Sequence, residues 1–195
     1  DPARWGLALM ALPRLLVVGA GGHGRSVAEA AVLSGQYALA GFVDDGLAVD
    51  TPIGHTSVVG STADLSAYVS LCDQVIVAIG NNALRESLVT RLVALGFELA
   101  TIIHPKAIVS PSAVMGQGCA VMAGAIVGTE AQLGAGVIAN CGSVVDHHAQ
   151  VHDFGHLGVN ACMAGGGITV SCMPMAMNAW PCHSSRHQRA AAREL

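Results

Sequence analysis

Charge is scarce in this chain. Only 11% of its 195 residues are charged and the formal net charge is −4, so no basic surface is on offer to nucleic acid. No CxxC pair occurs among the six cysteines, Cys72, Cys119, Cys141, Cys162, Cys172 and Cys182. They read as reduced thiols in a reducing compartment rather than as a disulfide framework. Long apolar runs are missing too. The stretch from Trp5 to Leu12 is too short to span a bilayer and has no small-residue cleavage site of a signal peptide. These absences point to a cytoplasmic protein without membrane insertion. The chain begins at Asp1 rather than Met, which is compatible with its being part of something longer. What is abundant is apolar material, 52% of the chain, enough for extensive burial that includes subunit interfaces.

From Ala107 onward the sequence repeats every six residues: AIVSPS, AVMGQG, CAVMAG, AIVGTE, AQLGAG, VIANCG, SVVDHH, AQVHDF, GHLGVN, ACMAGG. The third place is apolar in every block (Val109, Met115, Val121, Val127, Leu133, Ala139, Val145, Val151, Leu157, Met163). The first place is small in all but Val137. A helix needs a period near 3.6 and an ordinary strand a period of 2, so a strict six fits neither. It fits a parallel β-helix, in which each hexad supplies a short strand and a turn and each large aliphatic stacks on its copy one coil away.

The first half is built differently. Leu15 to Val18 reads as a strand buried on both faces, followed at once by Gly19-Ala20-Gly21-Gly22-His23-Gly24. A helix is expected over Arg25–Ser34, with Val27, Ala30, Ala31 and Leu33 inward. Leu39 to Val43 is a second strand ending in Asp44-Asp45, and Gln74 to Ile79 a third, ending in Gly80-Asn81-Asn82. A helix from Ala83 to Leu95 would turn Leu84, Leu88, Leu92 and Leu95 inward, with Gly96 ending it. Strand–helix–strand alternation means a parallel sheet with right-handed crossovers. The glycine cluster satisfies GxGxxG, with Asp44 twenty residues after Gly24. Backbone N–H groups there approach a diphosphate at a helix N-terminus. The half is short, about 90 residues between Leu15 and Pro105, which suits one mononucleotide-binding unit better than the two that NAD occupies.

The glycine cluster, Asp44-Asp45, Ala78-Ile79-Gly80-Asn81-Asn82, Ile103-His104-Pro105 and the hexads, in this order, make the chain resemble the PglD/NeuD-type sugar acyltransferases over about residues 14–170. That resemblance implies a Rossmann-like nucleotide-sugar domain (14–104) after a leader (1–13). A left-handed β-helix (105–170) would bind acetyl-CoA and assemble as a homotrimer, and an atypical tail (171–195) would close the chain. It implies an acetyl-CoA-dependent N-acetyltransferase acting on a nucleotide-activated amino sugar in glycan or surface-polysaccharide synthesis. O-acetylation of a sialic-acid-type sugar and a catalytically impaired, nucleotide-sugar-binding trimer are the alternatives.

Residue by residue, the resemblance makes His147 the general base. An imidazole suits this task because it titrates near working pH. An acidic residue is usual after that histidine; here His148 stands in its place, and a second histidine cannot supply negative charge. Gly19, Gly21, Gly22, His23, Gly24, Asp44, Asp45, Gly80, Asn81 and Asn82 would hold the nucleotide sugar, with Asn140 near the acceptor. His156 and Gly165 would lie near the acetyl group, the Gly165 N–H facing the oxyanion. The histidines His147, His148, His152 and His156 do not imply a metal site, because a hexad repeat distributes them over successive faces of a prism. After Val170 the hexads stop, and the segment Ser171–Leu195 puts the coenzyme pocket in question.

Overall fold

A computed structural model describes residues 12–169 and the backbone of a short strand at 174–175. Most of the expected leader and tail, with Cys172 and Cys182, lie outside the described residues. The N-terminal half runs β1 (Arg14–Val18), α1 (Gly22–Leu33), β2 (Ala38–Val43), β3 (Pro52–Ile53), β4 (Thr56–Gly60), β5 (Gln74–Val77) and α2 (Asn82–Ala94). The sheet order is β3-β4-β2-β1-β5. β1 pairs in parallel with β2 and β5, and β4 in parallel with β2. Leu15 to Val18 are fully buried, as a continuous apolar run at a sheet centre requires. β3 and β4 form an antiparallel edge hairpin that the strand–helix pattern does not announce.

α1 buries the expected Val27, Ala30 and Ala31, whereas α2 departs from its expected face. α1 starts at Gly22, inside the glycine cluster, and its buried stripe is Gly24, Val27, Ala28, Ala30 and Ala31. Leu33, expected inward, is exposed because it ends the helix beyond the sheet. In α2 the inward stripe is Arg85, Leu88, Val89 and Leu92, whereas Leu84 and Leu95 are 48% and 41% exposed. The periodicity expectation therefore chose the right helix and a face one residue out. Leu88 and Leu92 serve either stripe, and Arg85 wins its place because it meets a set of backbone acceptors.

From β6 (Ile102–Ile103) onward, two-residue strands recur every six residues as β7 (Ile108–Val109), β8 (Val114–Met115), β9 (Ala120–Val121), β10 (Ile126–Val127), β11 (Gln132–Leu133), β12 (Ile138–Ala139), β13 (Val144–Val145), β14 (Gln150–Val151), β15 (His156–Leu157) and β16 (Cys162–Met163). Each pairs in parallel with the strand eighteen residues away, giving three-faced coils of a left-handed β-helix. The stack begins before Pro105. Gln150 bridges to Ile168, and the stack also reaches past Val170, where β17 (Pro174–Met175) pairs with His156 and Leu157. Backbone register carries the stacking there, after the side-chain pattern has become unreadable.

The third-place residues from Val121 to Met163 are at most 5% exposed and fill one continuous core with the small first-place residues. The sixth places form the corners. From Gly118 to Gly166 every one has a left-handed backbone, φ between 56° and 76°. Five of the nine are glycine and one is asparagine, the residues that tolerate this region. Glu130, His148 and Phe154 adopt it without that advantage.

The N-terminal half covers one face of the prism. Ile102, Ala120 and Ile138 pack in a shared core with Val27, Ala30 and Ala31 of α1. The next face carries Ile108, Ile126, Val144 and Cys162. There Ile108 is 64% exposed and Ile126 38%.

Candidate active site

The loop between β1 and α1 opens a cleft of about 420 Å³, lined by Gly19, Gly21, Gly22, His23, Gly24, Asp44, Asp45 and Gly80. Glycine is demanded here by contact. A Cβ on Gly24 would run into the Gly19 carbonyl, so any side chain would force the loop off the helix start. α1 has no side-chain N-cap and no acidic residue in its first turn. Its N-terminal N–H groups therefore face the cleft with the favourable end of the helix dipole, the setting that receives phosphate.

Asp44 and Asp45 line the cleft and also brace it. Asp44 accepts from the Ala20 N–H at 2.7 Å and the Gly46 N–H at 2.8 Å. Asp45 accepts from the Thr62 N–H and hydroxyl, each at 2.7 Å. Asn81 and Asn82 do not line the cleft. Asn81 caps α2 by accepting from the Leu84 N–H at 3.0 Å, and Asn82 accepts from Arg85 at 3.0 Å.

At the mouth of the cleft the two halves meet. The His23 and His156 rings stack with centroids 6.3 Å apart. His156 Nδ1 donates to the Gly80 carbonyl at 3.3 Å, and its Nε2 lies 3.5 Å from the Asn140 side chain. Burial, then the neighbouring His156 and Arg85, push the His23 imidazole down to about 4. Burial likewise lowers His156. Both rings are therefore neutral near pH 7 and can accept or donate hydrogen bonds without carrying charge.

Arg85 is the residue that periodicity missed. Fully buried, it donates to the carbonyls of Gly136 (2.8 Å), Ile79 (2.8 Å) and Phe154 (2.6 Å), tying α2 to two coils. Desolvation lowers its guanidinium to about 10, so it remains charged and is solvated by peptide dipoles. An arginine one residue from an expected leucine stripe was the sole signal available.

His147 and His148 sit elsewhere, at the corner between β13 and β14. The coil path places the N-terminal half on the face of β6, β9, β12 and β15; this corner joins the other two faces and so lies across the prism from it. The His147 and His148 Nδ1 atoms are 3.0 Å apart. Asp146 accepts from the His147 N–H at 2.7 Å, but its carboxylate stays 3.9 Å from His147 Nε2, too far for a hydrogen bond. Gly165 packs against the His147 ring so closely that a Cβ would collide with Cε1 and Nε2. One coil earlier, Glu130 reaches His148 Nε2 at 3.0 Å. Its pairing was invisible in the hexads because it depends on an eighteen-residue separation. Of the expected site residues, the structure thus gathers His23, Gly80, Asn140 and His156 with the glycine loop, and His147, His148 and Gly165 at a separate corner.

Among the described residues, no three His, Cys, Asp or Glu side chains converge on a metal-holding position, and no helix is long and apolar enough to cross a membrane. Cys72, Cys119, Cys141 and Cys162 are free thiols.

Comparison with known proteins accounts for both halves. Residues 14–92 match the family model of the PglD N-terminal domain. The acetyltransferase domain of PglB from Neisseria gonorrhoeae FA1090, solved in complex with acetyl coenzyme A, is 38% identical with a TM-score of 0.75, covering 81% of this chain and 76% of that one. PerB from Caulobacter crescentus, in complex with CoA and GDP-perosamine, is 35% identical with a TM-score of 0.75, covering 81% and 74%. The UDP-N-acetylbacillosamine N-acetyltransferase of Bacillus subtilis (strain 168) is 35% identical over 114 residues, and the match spans 52% of that protein's length. Likeness at this level runs through the nucleotide-type loop and the hexad prism together, and the chain belongs to the PglD-type family of sugar acyltransferases.

Proposed function

We propose that this chain is an acetyl-CoA-dependent N-acetyltransferase whose acceptor is the amino group of a nucleotide-activated amino sugar. The observation that carries the reading is the coexistence of an anion-receiving cleft at the start of α1 with a glycine-backed histidine on a hexad corner. The relatives' ligands, acetyl coenzyme A in one and CoA with GDP-perosamine in another, agree with it.

In this reading the N-terminal N–H groups of α1 hold the diphosphate, and Asp44 and Asp45 keep the loop open to it. His147 Nε2 takes the proton of the amine as its nitrogen attacks the thioester carbonyl. The Gly165 N–H, which donates to no backbone carbonyl among the described residues, faces the oxyanion, a contribution of roughly 3 kcal/mol in comparable sites. The C–S bond then breaks, and the thiolate leaves with the proton returned from His147.

The positions of the two sites also bear on assembly. Within one chain, the His147 corner and the nucleotide cleft lie on opposite sides of the prism. A sugar held in the cleft therefore needs the corner of a neighbouring chain. The exposed Ile108–Ile126 face supplies an apolar surface on which identical prisms can pack, and a homotrimer with the site between subunits satisfies both demands.

The test is to mix the full chain with acetyl-CoA and a panel of UDP-, GDP- and CMP-linked amino and hydroxy sugars while following free thiol. Thiol release with an amino sugar and none with its hydroxy counterpart is the expected result. Release with hydroxy sugars alone would transfer the reading to O-acetylation, and nucleotide-sugar binding without thiol release would refute it.

A further inference from the structure

We infer that Glu130 and His148 form a positioning pair that sets the tautomer of His147. Its part in turnover rests on the acetyl-transfer reading; its chemistry does not. The corner at Ser112, Glu130, His148 and Gly166 repeats the sixth place of successive coils at eighteen-residue intervals. It is held in register by a ladder. The Ser112 hydroxyl accepts from the Glu130 N–H at 3.1 Å, the Thr129 carbonyl from the His148 N–H at 2.9 Å, and the His147 carbonyl from the Gly166 N–H at 2.9 Å. The corners that carry Glu130 and His148 are thus stacked by backbone geometry, and both residues adopt left-handed φ values, 56° and 59°, that glycine would adopt more readily.

The proton positions follow from the contacts. The 3.0 Å approach of Glu130 Oε2 to His148 Nε2 is a close charge contact without the alignment of a hydrogen bond. A lone pair on that nitrogen would be repelled by the carboxylate, which can only accept, so the charge favours the N–H there. In a neutral imidazole the other nitrogen, His148 Nδ1, is then an acceptor. It lies 3.0 Å from His147 Nδ1, which must therefore carry the hydrogen. His147 Nε2 is left with its lone pair, beside Gly165 and beyond hydrogen-bond reach of Asp146. Glu130 acts through His148 to present His147 Nε2 as the base. When Nε2 gains a proton, the Nδ1 proton of His147 can pass to His148 Nδ1, and the positive charge then rests beside the Glu130 carboxylate. The negative charge that a histidine at 148 cannot provide is supplied one coil earlier.

Glu130→Gly tests the pair without endangering the corner, since glycine suits that backbone and removes only the side chain. The readout is a long-range ¹H–¹⁵N correlation of the imidazole nitrogens in the full chain, which needs no substrate. The expected result is Nδ1-protonated His147 in the parent chain and a mixture dominated by Nε2–H in Glu130→Gly. Glu130→Gln, which keeps the size but removes the charge and can turn an amide NH2 to Nε2, should shift the tautomer in the same direction. In turnover, Glu130→Gly should lower kcat roughly 10- to 100-fold with KM within twofold. That loss is smaller than the ~10⁴ of a buried triad because this pair is open to solvent. An unchanged His147 tautomer in Glu130→Gly overturns the inference, as does an unchanged kcat in an active enzyme. A parent chain that transfers no acetyl group but shows the tautomer change upholds the pair and defeats the acetyltransferase reading instead.

Discussion

Arg85→Met is the substitution that bears most directly on how the two halves are held together. The guanidinium is fully buried and donates to three backbone carbonyls at 2.8 Å or less, with Asn82 at 3.0 Å as a fourth acceptor. No carboxylate pairs with it among the described residues. Hydrogen bonds from a charged donor contribute about 1.5–3 kcal/mol each, so three strong ones amount to roughly 5–9 kcal/mol. Keeping the charge out of water offsets part of this, by a few kcal/mol. Methionine fills a similar volume and removes that cost, but strands the Gly136, Ile79 and Phe154 carbonyls where neither water nor another donor replaces the arginine. The expected net loss is about 3–5 kcal/mol. For a chain of this size that corresponds to a fall in Tm of roughly 6–20 °C. Arg85→Lys should recover little, because one ammonium cannot span acceptors arranged for a planar fork. Differential scanning calorimetry, with urea unfolding to obtain the free energy, decides the matter. A Tm within about 3 °C of the parent for Arg85→Met would refute the view that this arginine fastens the helix to the prism.

Stability should also fall on acidification through the His23 imidazole. Its pKa is about 4 in the fold against 6.5 ordinarily, so between these values the unfolded chain binds the extra proton. The resulting loss, on the order of 3 kcal/mol, begins below about pH 6.5 and is complete below about pH 4. His23→Asn should flatten that part of a urea-midpoint against pH curve, and an unflattened curve would contradict the assignment. In Gly165→Ala the new methyl displaces the exposed His147 ring rather than the core. Turnover should drop about 100-fold while unfolding free energy changes by less than ~1 kcal/mol; the reverse pattern would make Gly165 a structural residue. Ile126→Lys puts a charge on the exposed apolar face and should turn the proposed trimer into monomer in light scattering. A parent chain already monomeric at micromolar concentration would remove the inter-subunit site.

A hexad prism is legible in sequence because each residue's place in the coil recurs every six positions, so small first places and large third places reveal themselves without reference to anything distant. The glycine loop is legible for a similar reason: Gly24 faces the Gly19 carbonyl only five residues away. What escaped the sequence depends on segments that meet across long separations. Arg85 displaced a leucine from the inward face of α2 because Gly136 and Phe154 present carbonyls to it, an acceptor set that local periodicity cannot contain. Glu130 meets His148 only because an eighteen-residue coil stacks their corners. The nucleotide-type cleft and the His147 corner belong to one chain, yet they stand apart because the N-terminal half packs on the opposite face of the prism. Repetition encodes the coil. Which face is covered, and which charges come together, is settled by packing between residues that the repeat treats as equivalent.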